Sequence, residues 1–404
     1  MRTDSKLLTL LLGWALLLGA AGCRSEDVNE PDEAHEGAAL TSAQAVLLET
    51  AFGAASAMPL SPHIKNRSRA QEVVVGACLE LHQPEQARRY IDEIANWRRG
   101  AGYADLALYF ARQRAADQAE PLLKLAADSA EQAEGWRRDR IVARIAAARI
   151  CLGQPVSVDR LPVGDPEWAT VVRTEARLCL DDAFDETMEA LRELVATEQF
   201  DQVKSALGAY AELYRRFYTD AVRRGQIDAR IRASWDSVPV FVRIELLMEL
   251  ADGALAGGDQ AAALLLIDEA GGLMQAARWQ PRFLIPLKAK LAELRFRAGD
   301  ETGAVSEIEA ALDLFDANRE RITNIYRAET ICPIAEAHHA MGNHQAALTL
   351  YGRAIEAGME NPNSRPRAED LAATCCSMAV HGAEPDAALT ARIHEIAAAL
   401  GDPW

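Results

Sequence analysis

Four glycines punctuate the C-terminal 150 residues at nearly constant spacing: Gly258, Gly299, Gly342 and Gly382, separated by 41, 43 and 40 residues. The text between them is helical, with apolar residues recurring at three and four, Ala and Leu prominent, and alternating β-branched runs nearly absent. Each glycine suits the left-handed position that ends a helix, and the Asp or Asn after three of them can cap the next. Small residues flank every break: Ala251, Ala292, Ala335 and Cys375 seven before, Ala263, Ala304, Ala347 and Ala387 five after. Such a frame brings two antiparallel helices close around a tight turn. A helix pair cannot bury its apolar face alone, so repeated pairs must stack.

The frame echoes in the N-terminal half, with turns near His82, Arg114 and Gly153 preceded at seven by Val75, Ala107 and Ala146. Fifteen residues before six of these seven turns stands an arginine: Arg67, Arg99, Arg138, Arg243, Arg327 and Arg367. The Gly299 unit carries Leu284 instead. The position falls in the first turn of each first helix, where the helix dipole disfavours a cation. A structural ladder at repeat seams is therefore expected, with acids of the preceding helix as partners: Asp92 for Arg99, Asp128 for Arg138, Glu360 for Arg367. Gly271-Gly272 reads as helix punctuation.

The frames Ala251/Gly258/Ala263/Ala270, Ala292/Gly299/Ala304/Ala311 and Ala335/Gly342/Ala347/Ala354, with Tyr351 at the aromatic place, resemble tetratricopeptide repeats. That resemblance covers roughly 66–153 and 240–398. It implies an all-α, right-handed α-α superhelix of antiparallel helix pairs whose concave face binds peptides or proteins, with no catalytic residues to carry over. The chain departs from the family in its longer period, in lacking a Trp near each repeat start, and in mostly lacking the terminal Pro. Residues 166–240 fit less well and read as an irregular helical middle section, between N-terminal repeats over 41–165 and C-terminal repeats over 241–400. Tyr210, Tyr214, Tyr218 and Phe217 form an aromatic stripe there, read as core where the register changes.

The amino terminus has a different character. Arg2 and Lys6 precede an apolar stretch, Leu7–Leu18, too short to span a bilayer as a helix, and then small residues lead to Cys23. Ala20-Ala21-Gly22-Cys23 resembles a bacterial lipobox, with Ala20 where Leu is usual. The resemblance implies a signal peptide over 1–22, cut before Cys23, and a lipoprotein whose Cys23 carries acyl chains such as palmitate. Arg24 is not the Asp that retains many such lipoproteins at the inner membrane, so the outer membrane, facing the periplasm, is the expected address. Residues 23–40 hold Glu26, Asp27, Glu30, Asp32, Glu33 and Glu36 and read as an acidic, solvated tether.

Composition narrows the functions. A formal charge of −17 excludes a broad nucleic-acid footprint, which needs a basic surface. No nucleophile elbow, P-loop or dinucleotide fingerprint follows a strand. Glu336, His339 and His344 make one tempting metal cluster, but the spacing is not HExxH and no distant ligand is identifiable, so they read as polar turn residues. No CxxC or zinc spacing occurs among the remaining cysteines, most of which read as packing residues. No cofactor or metal is expected. The expectation is a non-catalytic, membrane-anchored periplasmic scaffold that binds a protein or peptide partner, with a role in envelope assembly. The alternative is a lipoprotein that captures peptide or glycan at the cell surface through exposed rings such as Trp97, Trp136, Trp168, Trp235 or Trp279; a hidden hydrolase ranks below both.

Overall fold

The computed structural model describes residues 39–156 and 167–404. Among them are eighteen α-helices and no strand. The export segment, Cys23 and the acidic tether up to residue 38 lie outside the described residues. No described helix is long and apolar enough to cross a membrane.

The helices form two layers. The inner layer is α2 (Leu60–Glu80), α4 (Arg98–Arg112), α6 (Trp136–Cys151), α7 (Trp168–Arg177), α9 (Phe200–Arg216), α11 (Val240–Ala256), α13 (Pro281–Arg297), α15 (Arg327–Ala340) and α17 (Ser364–Val380). The outer layer is α1 (Ser42–Ala57), α3 (Pro84–Asp92), α5 (Ala116–Glu131), α8 (Phe184–Ala196), α10 (Ala221–Ala233), α12 (Gln260–Ala276), α14 (Glu301–Asn318), α16 (His344–Met359) and α18 (Ala387–Ala398). Each inner helix packs on the inner helices before and after it, and those joined to an outer helix by a short turn lie antiparallel to it. The inner helices run parallel, because side chains at similar depth meet across them: Arg140 with Glu167, Lys204 with Glu245, Arg215 with Asp252, Asn66 with Glu369. The fold is thus an all-α superhelix of paired helices.

The turns explain the glycine spacing. Gly258, Gly299, Gly342 and Gly382 have φ of +77°, +84°, +79° and +69°. Only glycine takes that region without strain from a Cβ. At each, the next residue's amide donates five residues back, as Asp259 does to the Ala254 carbonyl at 2.9 Å and Asn343 to that of His338 at 2.8 Å. Gly153 follows the same scheme, and His82 and Arg114 adopt the same backbone with φ of +55° and +57°. Asp259 and Asp300 also cap the following helices, accepting from Ala262 and Gly303 at 2.9 Å. The flanking alanines Ala251, Ala263, Ala292, Ala304, Ala335 and Ala347 are fully buried where the helices meet. Ala387 is the exception: its turn is lengthened through Pro385 and Asp386, and it stays exposed. Gly271-Gly272 does not punctuate anything. Both lie inside α12, where a side chain at either would fit, since the nearest atom to a Cβ on Gly271 is Leu291 Cδ2 at 3.6 Å, an ordinary contact.

The middle section keeps the layers and shifts the phase. No described helix takes the outer place between α6 and α7. The turn between α8 and α9, with Glu198 at φ +56°, lies at the opposite end of the inner layer from the glycine turns. Tyr210, Tyr214, Phe217 and Tyr218 are buried there in a single apolar cluster.

The ends of the superhelix meet. Helix α1 packs along α17 and touches α18, and α2 also packs on α17. One apolar cluster runs from Leu47, Leu48 and Ala51 of α1 through α2–α6 and, on the other side, through Ile334, Leu371 and Ile393. Gln44 Nε2 donates to the Ala379 carbonyl at 3.0 Å, and Asn66 Nδ2 to Glu369 Oε1 at 2.6 Å. The array is a closed ring, in which α1 joins α16 and α18 as an outer partner of α17.

Candidate functional site: the charged inner face

The apolar sides of the inner helices face the outer layer, which leaves their remaining face toward the ring interior. That face is charged. On α7, α9 and α11, Arg173 bridges Glu212 (3.2 Å) and Glu249 (3.0 Å), and Arg177 bonds Glu212 at 2.9 Å. Gly208 makes room for this: a Cβ there would meet the Arg173 guanidinium, 2.9 Å away. On α2, α4 and α6, Arg144 bridges Glu72 (3.0 Å) and Asp105 (2.6 Å), while Glu72 also pairs with Arg98. Asp252 of α11 joins Arg215 of α9 and Arg297 of α13.

The network spans buried and accessible groups: Glu212 keeps 7% of its side-chain surface, while Arg177 and Glu249 keep 47% and 39%. Their surroundings tune their protons. Burial drives the Glu212 carboxyl up, but the hydrogen bond and charge of Arg177, with Arg173, outweigh it and hold the pKa at about 2. Burial pushes Glu245 up against the pull of Lys204, and raises Glu175 with no opposing cation. Burial likewise raises Glu329, with Arg282 opposing. The inner face therefore carries ordered charges of both signs.

The arginine ladder divides. Four of the six arginines donate to the backbone that leads into their own helix: Arg67 to the Met58 carbonyl (2.8 Å), Arg243 to Val238 (3.1 Å), Arg327 to Ile322 (2.9 Å) and Arg319 (3.1 Å), and Arg367 to Asn361 (2.6 Å). In the unit that carries Leu284, the Trp279 indole performs this task, donating to the Met274 carbonyl at 2.9 Å. Arg99 and Arg138 do neither. Helix α4 has Trp97 at its N-cap, so Arg98 turns into the protein, and Arg99, about 100° further round, is exposed. The acid partners also differ from expectation. Asp92 accepts from Arg88 (3.1 Å) and Tyr103 (2.7 Å), Arg138 lies 3.6 Å from its neighbour Asp139, and Glu360 pairs with Arg327 and Arg319.

The histidine cluster is partly real. His339 and His344 rings lie 4.5 Å apart, and His381, absent from the sequence reading, lies 6.4 Å from His339. Glu336 does not join them; it accepts from Ser377 at 2.6 Å, and Ser377 in turn contacts Tyr351 at 3.0 Å. Among the described residues no three such side chains converge on one metal position. Burial and then the charges of His344 and His381 lower the His339 pKa. Cys78, Cys151, Cys179, Cys332, Cys375 and Cys376 are free thiols, and burial pushes Cys78 and Cys375 up to about 12.

The tryptophans correct the expectation that the chain lacks Trp near its repeat starts, because five of them gather there. Trp97, Trp136, Trp168, Trp235 and Trp279 all stand at or just before the start of an inner helix. Pro403, next to Trp404, accepts from Ser364 at the start of α17. One rim of the ring is therefore aromatic. Of these rings Trp136 alone is largely exposed, at 49%. No protein-family model and no curated protein matches the chain.

Proposed function

We propose that the protein is a non-catalytic scaffold that holds a protein or peptide segment against the inner face of its ring. The lipobox-like Ala20–Cys23 supports attachment to the bacterial envelope, and the absence of the inner-membrane retention Asp after Cys23 supports the outer membrane, facing the periplasm. The observation that carries the binding reading is the Arg173–Arg177–Glu212–Glu249 network. Four charges from three helices are locked by one another, so a guest meets them already ordered and loses little side-chain entropy on binding. Mixed charges at that density suit a polar, zwitterionic chain such as a peptide backbone with alternating charged side chains.

The test is affinity capture from native membranes, with Cys23→Ala separating loss of anchoring from loss of binding. Glu249→Gln, accessible to water and away from the buried Glu212–Arg177 contact, should reduce the captured partner at least tenfold while the fold melts nearly unchanged. Undiminished capture by this variant would move the binding surface elsewhere.

A further inference from the structure

The aromatic rim carries a basic patch on a chain whose formal charge is −17. Trp97-Arg98-Arg99 opens α4 and Trp136-Arg137-Arg138 opens α6, and the two tryptophans meet edge to face, centroids 5.2 Å apart. Beside them, Asn96 Nδ2 reaches the Ile64 carbonyl at 3.5 Å, which joins the first turns of α2 to the same surface. Leu60, Ile64 and Trp136 are 50%, 38% and 49% exposed. Lys65, Arg69, Arg99, Arg137 and Arg138 surround them and are exposed. Residues 60–69 and 96–99 contain no acid; the acids nearby are Glu93, which acts on Arg67, and Glu134 and Asp139 within 134–140.

We propose that this rim is a docking surface for an anionic lipid bilayer. Exposed aliphatic and indole groups ringed by guanidinium and ammonium groups match the headgroup boundary, where apolar atoms sink and cations meet lipid phosphates. The geometry disfavours a sugar platform. Arg137 and Arg140 stand over the Trp136 ring, each 5.6 Å from its centroid, and Trp97 meets it at 81°, so no clear ring face is offered for stacking.

The position is compatible with anchoring at Cys23. Helix α1 begins at the opposite rim, where Gln44 bonds Ala379 near the end of α17. The inner helices are about 25 Å long, while residues 24–41 can reach at most about 60 Å when extended. A chain anchored at Cys23 can therefore lay this rim on its own membrane. The proposal itself needs no lipid on Cys23.

Hydrogen exchange of the full-length chain, with and without phosphatidylglycerol vesicles, tests it locally. The first amides of a helix lack an acceptor in the preceding turn; those of Arg98, Arg99, Gly100 and Asp139 bond locally instead, so contact is read chiefly over 60–66 and 135–138. Severalfold slower exchange is expected over 60–66 and 135–138, weakened at about 0.5 M salt. The same protection should be absent with phosphatidylcholine vesicles. It should be lost in the Trp136→Ser/Arg137→Gln/Arg138→Gln variant but kept in Leu265→Ser, an exposed site on α12. A melting curve unchanged in the triple variant separates lost contact from lost fold; if that variant unfolds, Arg137→Gln/Arg138→Gln alone serves. Protection elsewhere only, equal protection by phosphatidylcholine, or protection by a soluble anionic polysaccharide and not by vesicles would each overturn the proposal.

Discussion

Arg327 shows how one side chain can close a seam. Its stem is largely covered, and its head donates to the Arg319 and Ile322 carbonyls and pairs with Glu360 and Glu320. An exposed ion pair contributes only about 0–1 kcal/mol, whereas removing a donor from part-buried carbonyls costs about 1–3 kcal/mol each. Arg327→Ala should therefore destabilise by about 2–3 kcal/mol and Arg367→Ala by somewhat less, while Arg99→Ala and Arg138→Ala change stability by under about 0.5 kcal/mol. Chemical denaturation of the four variants checks this, and equal losses across all four would defeat the division of the ladder. The turn residues predict the opposite signs for opposite changes. Gly258→Val should cost about 1–2 kcal/mol through φ alone, since no atom obstructs its side chain. Arg114→Gly, relieving a positive φ, should gain up to about 1 kcal/mol. Glu212 adds a pH dependence. Its folded pKa of about 2 lies below the ordinary value of about 4.3. The stability it contributes is complete above about pH 4.3 and vanishes as pH falls through about 2. The deficit of Glu212→Gln should thus be largest at neutral pH and shrink toward pH 2; a deficit independent of pH would remove the ionic account.

At the scale of elements, α1 has the most unusual task. It is the first described helix in the chain, yet it packs on α17 and shares its apolar cluster with Leu371 and Ile393. Leu48 is fully buried in that contact. Leu48→Asp should accelerate hydrogen exchange in α17 and α18 as well as in α2, because both ends of the chain lose the same partner. Acceleration confined to α2 would describe an open array. The helix pairs themselves were legible in sequence, since Gly258, Gly299 and Gly342 have one backbone geometry that few residues tolerate and flanking alanines that only close approach demands. Arg99 misled because its register was counted back from the turn. The start of α4 is set instead by Trp97, and a shift of one residue exchanges a buried face for an exposed one. Leu284 broke the ladder in sequence, while the substitute donor, Trp279, stood five residues away in a different chemical form.

At the scale of the molecule, closure and the inner charges were not legible. Gln44 and Ala379 are 335 residues apart, and no local pattern encodes their meeting. The Arg173–Glu212–Glu249 network spans 76 residues, and its carboxylates look in sequence like any solvated acids. Closure matters for the proposed function because it fixes the spacing of inner helices that an open superhelix would let vary, and thereby keeps the charges of the interior in place. Val46 of α1 and Thr390 of α18 line the same shallow groove at the seam. Spin labels carried by unnatural amino acids at these two positions, read by pulsed dipolar spectroscopy, report closure without disturbing the native cysteines. Packed helices have axes about 8–10 Å apart, so a closed ring predicts one narrow distance on the order of 20 Å between the labels. A broad distribution reaching beyond about 40 Å, as free ends of a stacked array would give, would contradict the ring.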